Sequence, residues 1–155
     1  MSKPKSPAAD VRPVVEITHR TEFSASHRLH SDELTDEENA RVFGICNNLH
    51  GHNYELEVTV RGAVDATTGM VMNLTDLMAL IRDKILGAVD HRDLNTDVPF
   101  LAGLVPTAEN IAVSFWKRLE PELERFEGCR LYRIRVYESP SNLVEYFGPT
   151  EVVTG

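Results

Sequence analysis

Cysteine is scarce in this chain, with only Cys46 and Cys129 among 155 residues. Two cysteines cannot build the disulfide framework of small secreted domains, so we expect a reducing, cytoplasmic environment. The chain is also long enough to form a hydrophobic core of its own. Neither disulfides nor a metal are therefore needed simply to stabilise a fold.

Long apolar runs and an excess of positive charge are missing as well. No apolar run approaches the roughly 20 residues of a membrane span, so we expect no membrane partner. The formal net charge of −8 argues against a nucleic-acid binder, because such proteins usually present a basic surface. Apolar residues make up 42% and charged residues 26% of the chain, which is ordinary for one globular domain.

The N-terminal residues 1–12 differ from the rest of the chain. They contain charge and proline but lack the apolar segment of a secretory signal. We therefore predict a flexible tail over residues 1–12 and a single folded domain over residues 13–155.

Hydrophobic alternation predicts strands near both ends of this domain. Alternating stretches begin at Val14 and Tyr54, and two more, RLYRIRVYES and NLVEYFG, close the chain. A further short strand is predicted at MVMN, residues 70–73.

Helical patterns fill the middle of the chain. One apolar stripe at helical spacing runs from Leu74 to Val89 and includes Met78. Thr107 is the expected N-cap of a second helix, and Thr35 begins a capping-box pattern for a shorter one. Strands, then helices, then strands favour an α+β fold, an antiparallel sheet with two main helices on one face.

Three histidines share the apolar faces of the first two predicted strands. Residues two apart in a strand project from one face, so His50 and His52 point together. His27 ends the preceding strand on its own apolar parity. If the strands pair, three imidazoles meet on one buried face, which favours a zinc site with an open fourth position. The alternative is ordinary hydrogen-bonding histidines at strand ends.

Cys46 precedes His50 by four residues, and the residues alone leave its role open. It could be a small core residue, a reactive thiolate beside a metal, or the fourth ligand of a closed structural site.

Further polar residues have both a structural and a functional interpretation. Asp90 and His91 follow the long helix, where they either terminate it or form a proton relay with a thiol. Glu138 lies on an apolar strand face and needs a partner, which a ligand with N–H donors would provide. Glu109, in the first turn of a helix, is also explained by the helix dipole.

Six motifs occur together in order: FSASHRL, CNNLHGHNY, TGMVMNL, VDHRDLN, PTAEN and VYES. In this combination the chain resembles the family of 6-pyruvoyl- and 6-carboxytetrahydropterin synthases, from about residue 21 to residue 148. The resemblance implies the tunnelling fold (T-fold), a four-stranded antiparallel sheet with two helices. It also implies homo-oligomers, trimers or hexamers, whose active sites lie between subunits.

The resemblance also implies roles for particular residues. The implied zinc ligands are His27, His50 and His52. The implied catalytic residues are Cys46 as the thiol base, with Asp90 and His91 as its proton relay. The implied pterin contacts are Glu138, Thr107 and Glu109. The substrate would be 7,8-dihydroneopterin triphosphate; the sequence does not choose between Arg28, Arg41 and other basic residues as its triphosphate partner.

Two products are possible within this family. Three residues separate Cys46 from His50, as in the 6-carboxy-5,6,7,8-tetrahydropterin synthases of queuosine biosynthesis, which release acetaldehyde with triphosphate. Segments such as DEENARVFG are closer to animal 6-pyruvoyl-tetrahydropterin synthases of tetrahydrobiopterin biosynthesis. From the spacing we expect the zinc-dependent carboxy enzyme, with the pyruvoyl enzyme as the alternative. A non-catalytic zinc-binding assembly protein is the alternative from another class.

Overall fold

The two long strands predicted near the N-terminus form the centre of the sheet. In the computed structural model, which describes residues 11–149, β1 spans Val14–His27 and β2 spans His50–Ala63. They pair antiparallel along their whole length, with His27 opposite His50. Because side chains alternate along both strands, one face of the pair is apolar and the other is charged.

Three further strands extend this pair, namely β3 (Arg92–Asp93), β4 (Cys129–Ser139) and β5 (Asn142–Tyr146). The strand order is β3-β1-β2-β4-β5. The four long and medium strands are antiparallel, as predicted, but the predicted number of four is wrong by one. The fifth strand, β3, runs parallel to β1 because Arg92 and Asp93 pair with Ala25 and Ser26.

The helices are α1 (Asp36–Phe43), α2 (Leu74–Ile81), α3 (Gly87–Val89) and α4 (Ala108–Leu123). Both predicted N-caps are present. The Thr35 hydroxyl accepts a hydrogen bond from the Glu38 amide, and the Glu38 carboxylate accepts one from the Thr35 amide. The Thr107 hydroxyl accepts a hydrogen bond from the Asn110 amide. These bonds satisfy amide groups that the first turn of a helix leaves unpaired.

The helix predicted over residues 74–89 contains an irregularity. A π-helical turn, Arg82–Leu86, separates α2 from α3. Leu74 and Met78, predicted on the buried stripe, are 46% and 48% exposed. The strand predicted at residues 70–73 is also wrong, because these residues form a bend that ends at Asn73, the N-cap of α2.

The core lies between the helices and the apolar face of the sheet. Its largest fully buried side chains include Phe23 of β1, Tyr54 of β2 and Phe115 of α4. The Phe23 and Tyr54 rings stack with centroids 4.7 Å apart, and Phe115 meets Phe23 edge-on. This packing stabilises the end of the sheet that also carries the histidines.

Two predictions concern parts of the chain at its ends. Residues 1–10 of the predicted tail and residues 150–155 of the predicted domain lie outside the described residues, so the division of the chain stays a prediction. Within residues 11–149, no helix is both long and apolar enough to cross a membrane.

Candidate metal centre and neighbouring acid–base residues

The β1–β2 register brings three histidines together at one end of the sheet. His27 lies directly opposite His50, and His52 is two residues further along β2 on the same face. The ring centroids are 4.6 to 5.2 Å apart. The imidazoles therefore lie where strand parity predicted them, while their role as ligands stays a prediction.

A carboxylate joins this histidine cluster. Glu138 of β4 places Oε1 3.0 Å from His52 Nε2 and 3.7 Å from His27 Nε2. One possible ligand atom from each of the four side chains lies within 4.8 Å of the other three. The Glu138 carboxylate thus lies within ion-pair distance of two imidazoles of the same chain.

Backbone carbonyls fix the orientation of two of the rings. His27 Nδ1 donates to the Pro106 carbonyl at 2.8 Å, and His50 Nδ1 donates to the Asn48 carbonyl at 2.6 Å. With the proton on Nδ1, each ring has its lone pair on Nε2. This arrangement, a second hydrogen bond that sets the tautomer, is typical of metal-binding histidines.

The third ring has a buried nitrogen without a partner. His52 Nε2 has no hydrogen bond to any group of residues 11–149, since its 3.0 Å contact with Glu138 lacks hydrogen-bond geometry. A buried polar atom normally has a partner, so this one is a reason to expect a bound species. Three imidazoles and one carboxylate are a donor set that suits zinc and similar divalent metals. The residues present therefore fit a metal ion.

Burial also favours the protonation state that a metal needs. Desolvation lowers the pKa of His27 and of His52, so both rings are neutral near pH 7. Tyr54 lies beneath the cluster, with its hydroxyl 3.3 Å from His27 Nδ1. Burial, reinforced by the Glu138 charge, raises the pKa of the Tyr54 phenol far above its usual range, so this group stays protonated.

Asp90 and His91 lie at the edge of β1 that faces away from β2. Asp90 Oδ1 accepts from the Ser24 amide at 2.9 Å and lies 3.0 Å from His91 Nδ1. The bond from the Ser24 amide is the main cause of the lowered pKa of the Asp90 carboxyl, which is therefore ionised at neutral pH. His91 has a φ of 58°, and its amide donates to the Ser24 carbonyl at 2.7 Å.

The structure thus places the Asp90 carboxylate where it can orient the His91 ring, while a proton relay with a thiol stays a prediction. The His91 side chain is 82% exposed, so its second nitrogen is open to other groups. An open groove of about 620 Å³ extends from His91 to His52 across the ends of β1 and β2. Its lining includes Ser24, Ser26, Gly51 and Asn53, which alternate with the histidines along the strands, so most of the groove lies on the opposite face of the sheet from the histidine cluster.

Cys46 lies in a short 3₁₀ turn, Gly44–Asn47, directly before β2. It is half-buried, and it is not among the side chains that converge on the possible metal position. Its place outside this group disfavours the closed four-ligand site with Cys46. Within residues 11–149 the thiol also has no hydrogen bond to Asp90 or His91. The three predicted catalytic residues are therefore not connected by hydrogen bonds within one chain.

The two other predicted pterin contacts have structural roles. Thr107 caps α4, and Glu109 is exposed in the first turn of that helix. Neither side chain belongs to the histidine cluster. The segment nevertheless contacts the cluster, because the carbonyl of Pro106 binds His27.

Sequence reasoning missed several groups of this site. Tyr54 could have been found, because it shares strand parity with His50 and His52. The carbonyls of Pro106 and Asn48 could not, since every residue has a carbonyl and loop geometry decides which of them faces a ring.

The chain is similar to pterin synthases in sequence and in structure. Residues 16–149 match the family model described as 6-pyruvoyl tetrahydropterin synthase. The chain is 48% identical over 135 residues to human 6-pyruvoyl tetrahydrobiopterin synthase, which covers 86% of this chain and 91% of that protein. It is 31% identical over 127 residues to a 6-carboxy-5,6,7,8-tetrahydropterin synthase of Haemophilus influenzae, which covers 66% of this chain and 84% of that protein.

A solved structure shows the same similarity. The 6-pyruvoyl tetrahydropterin synthase of Caenorhabditis elegans is 41% identical and superposes with a TM-score of 0.83, covering 90% of this chain and 99% of that one. The predicted T-fold is thereby confirmed, with β3 as an addition to the predicted sheet.

Proposed function

Because the chain belongs to the 6-pyruvoyl tetrahydropterin synthase family, we propose that it eliminates triphosphate from 7,8-dihydroneopterin triphosphate to form a 6-pyruvoyl product. The chain is an enzyme, a pterin synthase of the lyase type. The observation that carries the proposal is the histidine cluster, in which the buried His27 and the partly buried His50 and His52 lie beside the Glu138 carboxylate and desolvation lowers the pKa of His27 and His52.

The choice of product differs from our expectation from the sequence. The three residues between Cys46 and His50 favoured the carboxy enzyme of queuosine biosynthesis. The higher identity to the human pyruvoyl enzyme, 48% against 31%, supports the pyruvoyl alternative. Sequence identity over more than a hundred residues reflects the whole fold, whereas the spacing between Cys46 and His50 reflects a single turn. We therefore assign the chain to tetrahydrobiopterin-type chemistry as part of the proposal.

His27, His50 and His52 would bind the metal, which we propose to be zinc. When bound, it would supply Lewis-acid polarisation of the substrate's side-chain oxygens. Glu138 lies beside His27 and His52, and we propose that its carboxylate accepts hydrogen bonds from the N–H edge of the pterin, with Thr107 and Glu109 in the neighbouring segment. A carboxylate that accepts two N–H bonds orients a planar ring as well as binding it.

Cys46, Asp90 and His91 would supply the acid–base chemistry. The Cys46 thiolate removes a proton from the substrate side chain, and His91 transfers a proton to the ring. Asp90 is ionised and lies 3.0 Å from His91 Nδ1, so it orients the imidazole and stabilises its protonated form.

We further propose that copies of this chain assemble into a homo-oligomer, a trimer or a hexamer, with active sites between subunits. Ile45 and Leu49 flank Cys46 and are 83% and 66% exposed, and a subunit contact would remove these apolar side chains from water. Within residues 11–149 no hydrogen bond connects Cys46 to Asp90 or His91, which also supports a site completed by a second copy. A cytoplasmic location is part of the same proposal, in accord with two free cysteines.

Product analysis tests the proposed function directly. The purified, zinc-loaded protein is incubated with 7,8-dihydroneopterin triphosphate, and the pterin product is identified by mass spectrometry beside an acetaldehyde assay. We expect triphosphate and a 6-pyruvoyl product without acetaldehyde. Acetaldehyde in step with turnover would assign the carboxy reaction instead, and no turnover at all would contradict both.

A further inference from the structure

Arg28 directly follows the proposed ligand His27, just beyond the end of β1. Its amide donates to Asn95 Oδ1 at 2.8 Å, and its carbonyl accepts from Asn95 Nδ2 at 2.9 Å. One side-chain amide therefore satisfies both backbone groups of Arg28. Asn95 lies shortly after His91 and β3, so this pair joins the end of β1 to the segment that carries the proton relay.

The guanidinium of Arg28 extends toward the turn that carries Cys46. Nε donates to the Asn47 carbonyl at 3.0 Å, and Nη2 donates to His30 Nδ1 at 3.0 Å. Because His30 Nδ1 accepts this bond, it carries no proton. The Arg28 side chain thus bonds directly to the residue that follows Cys46.

Two further bonds connect the same segments. The Asn47 side chain donates to the Leu29 carbonyl at 2.9 Å, and the Leu29 amide donates to the Cys46 carbonyl at 2.8 Å. The residues after β1 are therefore bonded to both Cys46 and Asn47.

The turn itself has few other sources of rigidity. Gly44–Asn47 is a four-residue 3₁₀ turn without a fully buried residue. No side chain of residues 11–149 caps its first amide groups. Short 3₁₀ turns have poor hydrogen-bond geometry, and segments with little buried surface open readily. The bonds from Arg28 and its neighbours consequently fix where the Cys46 thiol lies.

We propose that Arg28 is a positioning residue, which fixes the Cys46 turn relative to the histidine cluster and to the segment after His91. The inference rests on the proposed function, because it assumes that Cys46 acts on the substrate. Two nitrogens of Arg28, Nε and Nη2, already donate within the chain, so the turn and His30 set the direction of the guanidinium.

Lysine distinguishes a positioning role from a charge role. A guanidinium donates from several nitrogens in a fixed plane, whereas an ammonium is a single point donor. Arg28→Lys keeps the positive charge but cannot bond to the Asn47 carbonyl and to His30 in the same geometry. A role in binding triphosphate would survive this change in large part, and a positioning role would not.

The experiment compares Arg28→Met and Arg28→Lys with the wild-type enzyme in three measurements. These are kcat, KM for 7,8-dihydroneopterin triphosphate, and the rate at which iodoacetamide alkylates Cys46, followed by peptide mass spectrometry. We expect both variants to lower kcat about 10- to 100-fold, as is usual when a supporting hydrogen bond of a site is lost, with KM nearly unchanged. The alkylation rate of Cys46 should change in both.

Arg125→Met is the matched control. Arg125 pairs with Glu122 on the surface at the end of α4 and is 74% exposed. Removing its guanidinium should leave kcat, KM and alkylation as in the wild type. The proposal is overturned if Arg28→Met raises KM while kcat and the alkylation rate stay unchanged, because Arg28 would then act on the substrate. It is equally overturned if kcat, KM and the alkylation rate of Cys46 all stay at their wild-type values in both Arg28 variants.

Amide hydrogen exchange provides a readout that needs no turnover. We expect faster exchange at the Leu29 amide, which binds the Cys46 carbonyl, in Arg28→Lys than in the wild type. Unchanged protection there would contradict the proposal even if Arg28→Met fails to fold. Since exchange and alkylation do not depend on any pterin reaction, a failure of the proposed function is distinguishable from a failure of this inference.

Discussion

The histidine cluster and the acid–base residues differ in how the fold supports them. His27 and His50 belong to two strands paired over 14 positions in the middle of the sheet, and the His27 side chain is fully buried. Cys46 lies in a short turn, and His91 lies at a sheet edge with 82% of its side chain exposed. The strands of one chain are enough to bring the histidine cluster together, whereas Cys46 and His91 lie on connecting segments.

This difference arises because misplacing the histidines would expose buried side chains, whereas misplacing the residues of the turn would not. A slip of one residue between β1 and β2 would turn every core side chain of one strand toward solvent, so burial fixes the register and with it the histidines. No comparable penalty fixes a surface turn, where a few hydrogen bonds set the position. The predictions below probe the two sets in order of expected effect.

Loss of one imidazole should have the largest effect. In His50→Ala we expect the bound metal to be lost and turnover to fall about 10⁴-fold or more, since Lewis-acid stabilisation of several kcal/mol is lost with the metal. Metal content is measured by inductively coupled plasma mass spectrometry beside turnover. His19→Ala, on β1 but outside the cluster, should keep both; full metal content in His50→Ala would refute the three-imidazole site.

Loss of the thiol should abolish chemistry without loss of metal. In Cys46→Ala we expect turnover to fall about 10²- to 10⁴-fold, the usual contribution of a positioned acid or base, at unchanged metal content. Cys129→Ala is the control, because Cys129 lies on β4 outside the cluster. Loss of both metal and stability in Cys46→Ala would instead show that Cys46 is a metal ligand. Cys46 would then belong with the histidine cluster and not with the acid–base residues.

Glu138 lies beside the histidine cluster, and its neutral variant separates pterin binding from metal binding. We expect Glu138→Gln to retain the metal and to raise KM about 10- to 100-fold, because a hydrogen bond to a charged group contributes about 1.5–3 kcal/mol. Steady-state kinetics and metal analysis check this, with Glu145→Gln on β5 as the control. A variant that loses its metal would show that Glu138 is the fourth ligand.

A smaller effect should appear in the stability of the metal-free protein. Burial lowers the pKa of His27 and His52 in the folded state, so below about pH 6.5 the unfolded chain binds more protons than the folded one. Stability should therefore fall as pH decreases from 7.5 to 5, by up to about 1.4 kcal/mol per pH unit for each proton. Denaturant unfolding after chelation measures this, and His27→Gln should show a shallower slope.

The parts of the fold that burial determines were predictable from the sequence. Strand alternation located β1 and β2, and the Thr35 and Thr107 caps were visible because their chemistry is local. The convergence of three histidines followed from parity alone, since pairing preserves it.

The parts set by long-range contacts were not predictable. Strand β3 has two residues, and it forms because His91, at a φ of 58°, turns the chain onto the edge of β1. The apolar residues at 70–73 have a strand-like composition, but Asn73 caps a helix there.

Because of the π-helical turn Arg82–Leu86, we expect the chain to tolerate a length change just before Asp90 and His91. A π turn accommodates one residue more than an α-helical turn between the same two ends. Deletion of the exposed Asp83 would convert this stretch to a regular α-helix and leave Asn73 and Asp90 at their present places. A one-residue deletion, which in most buried helices rotates everything beyond it, would here be absorbed within the helix.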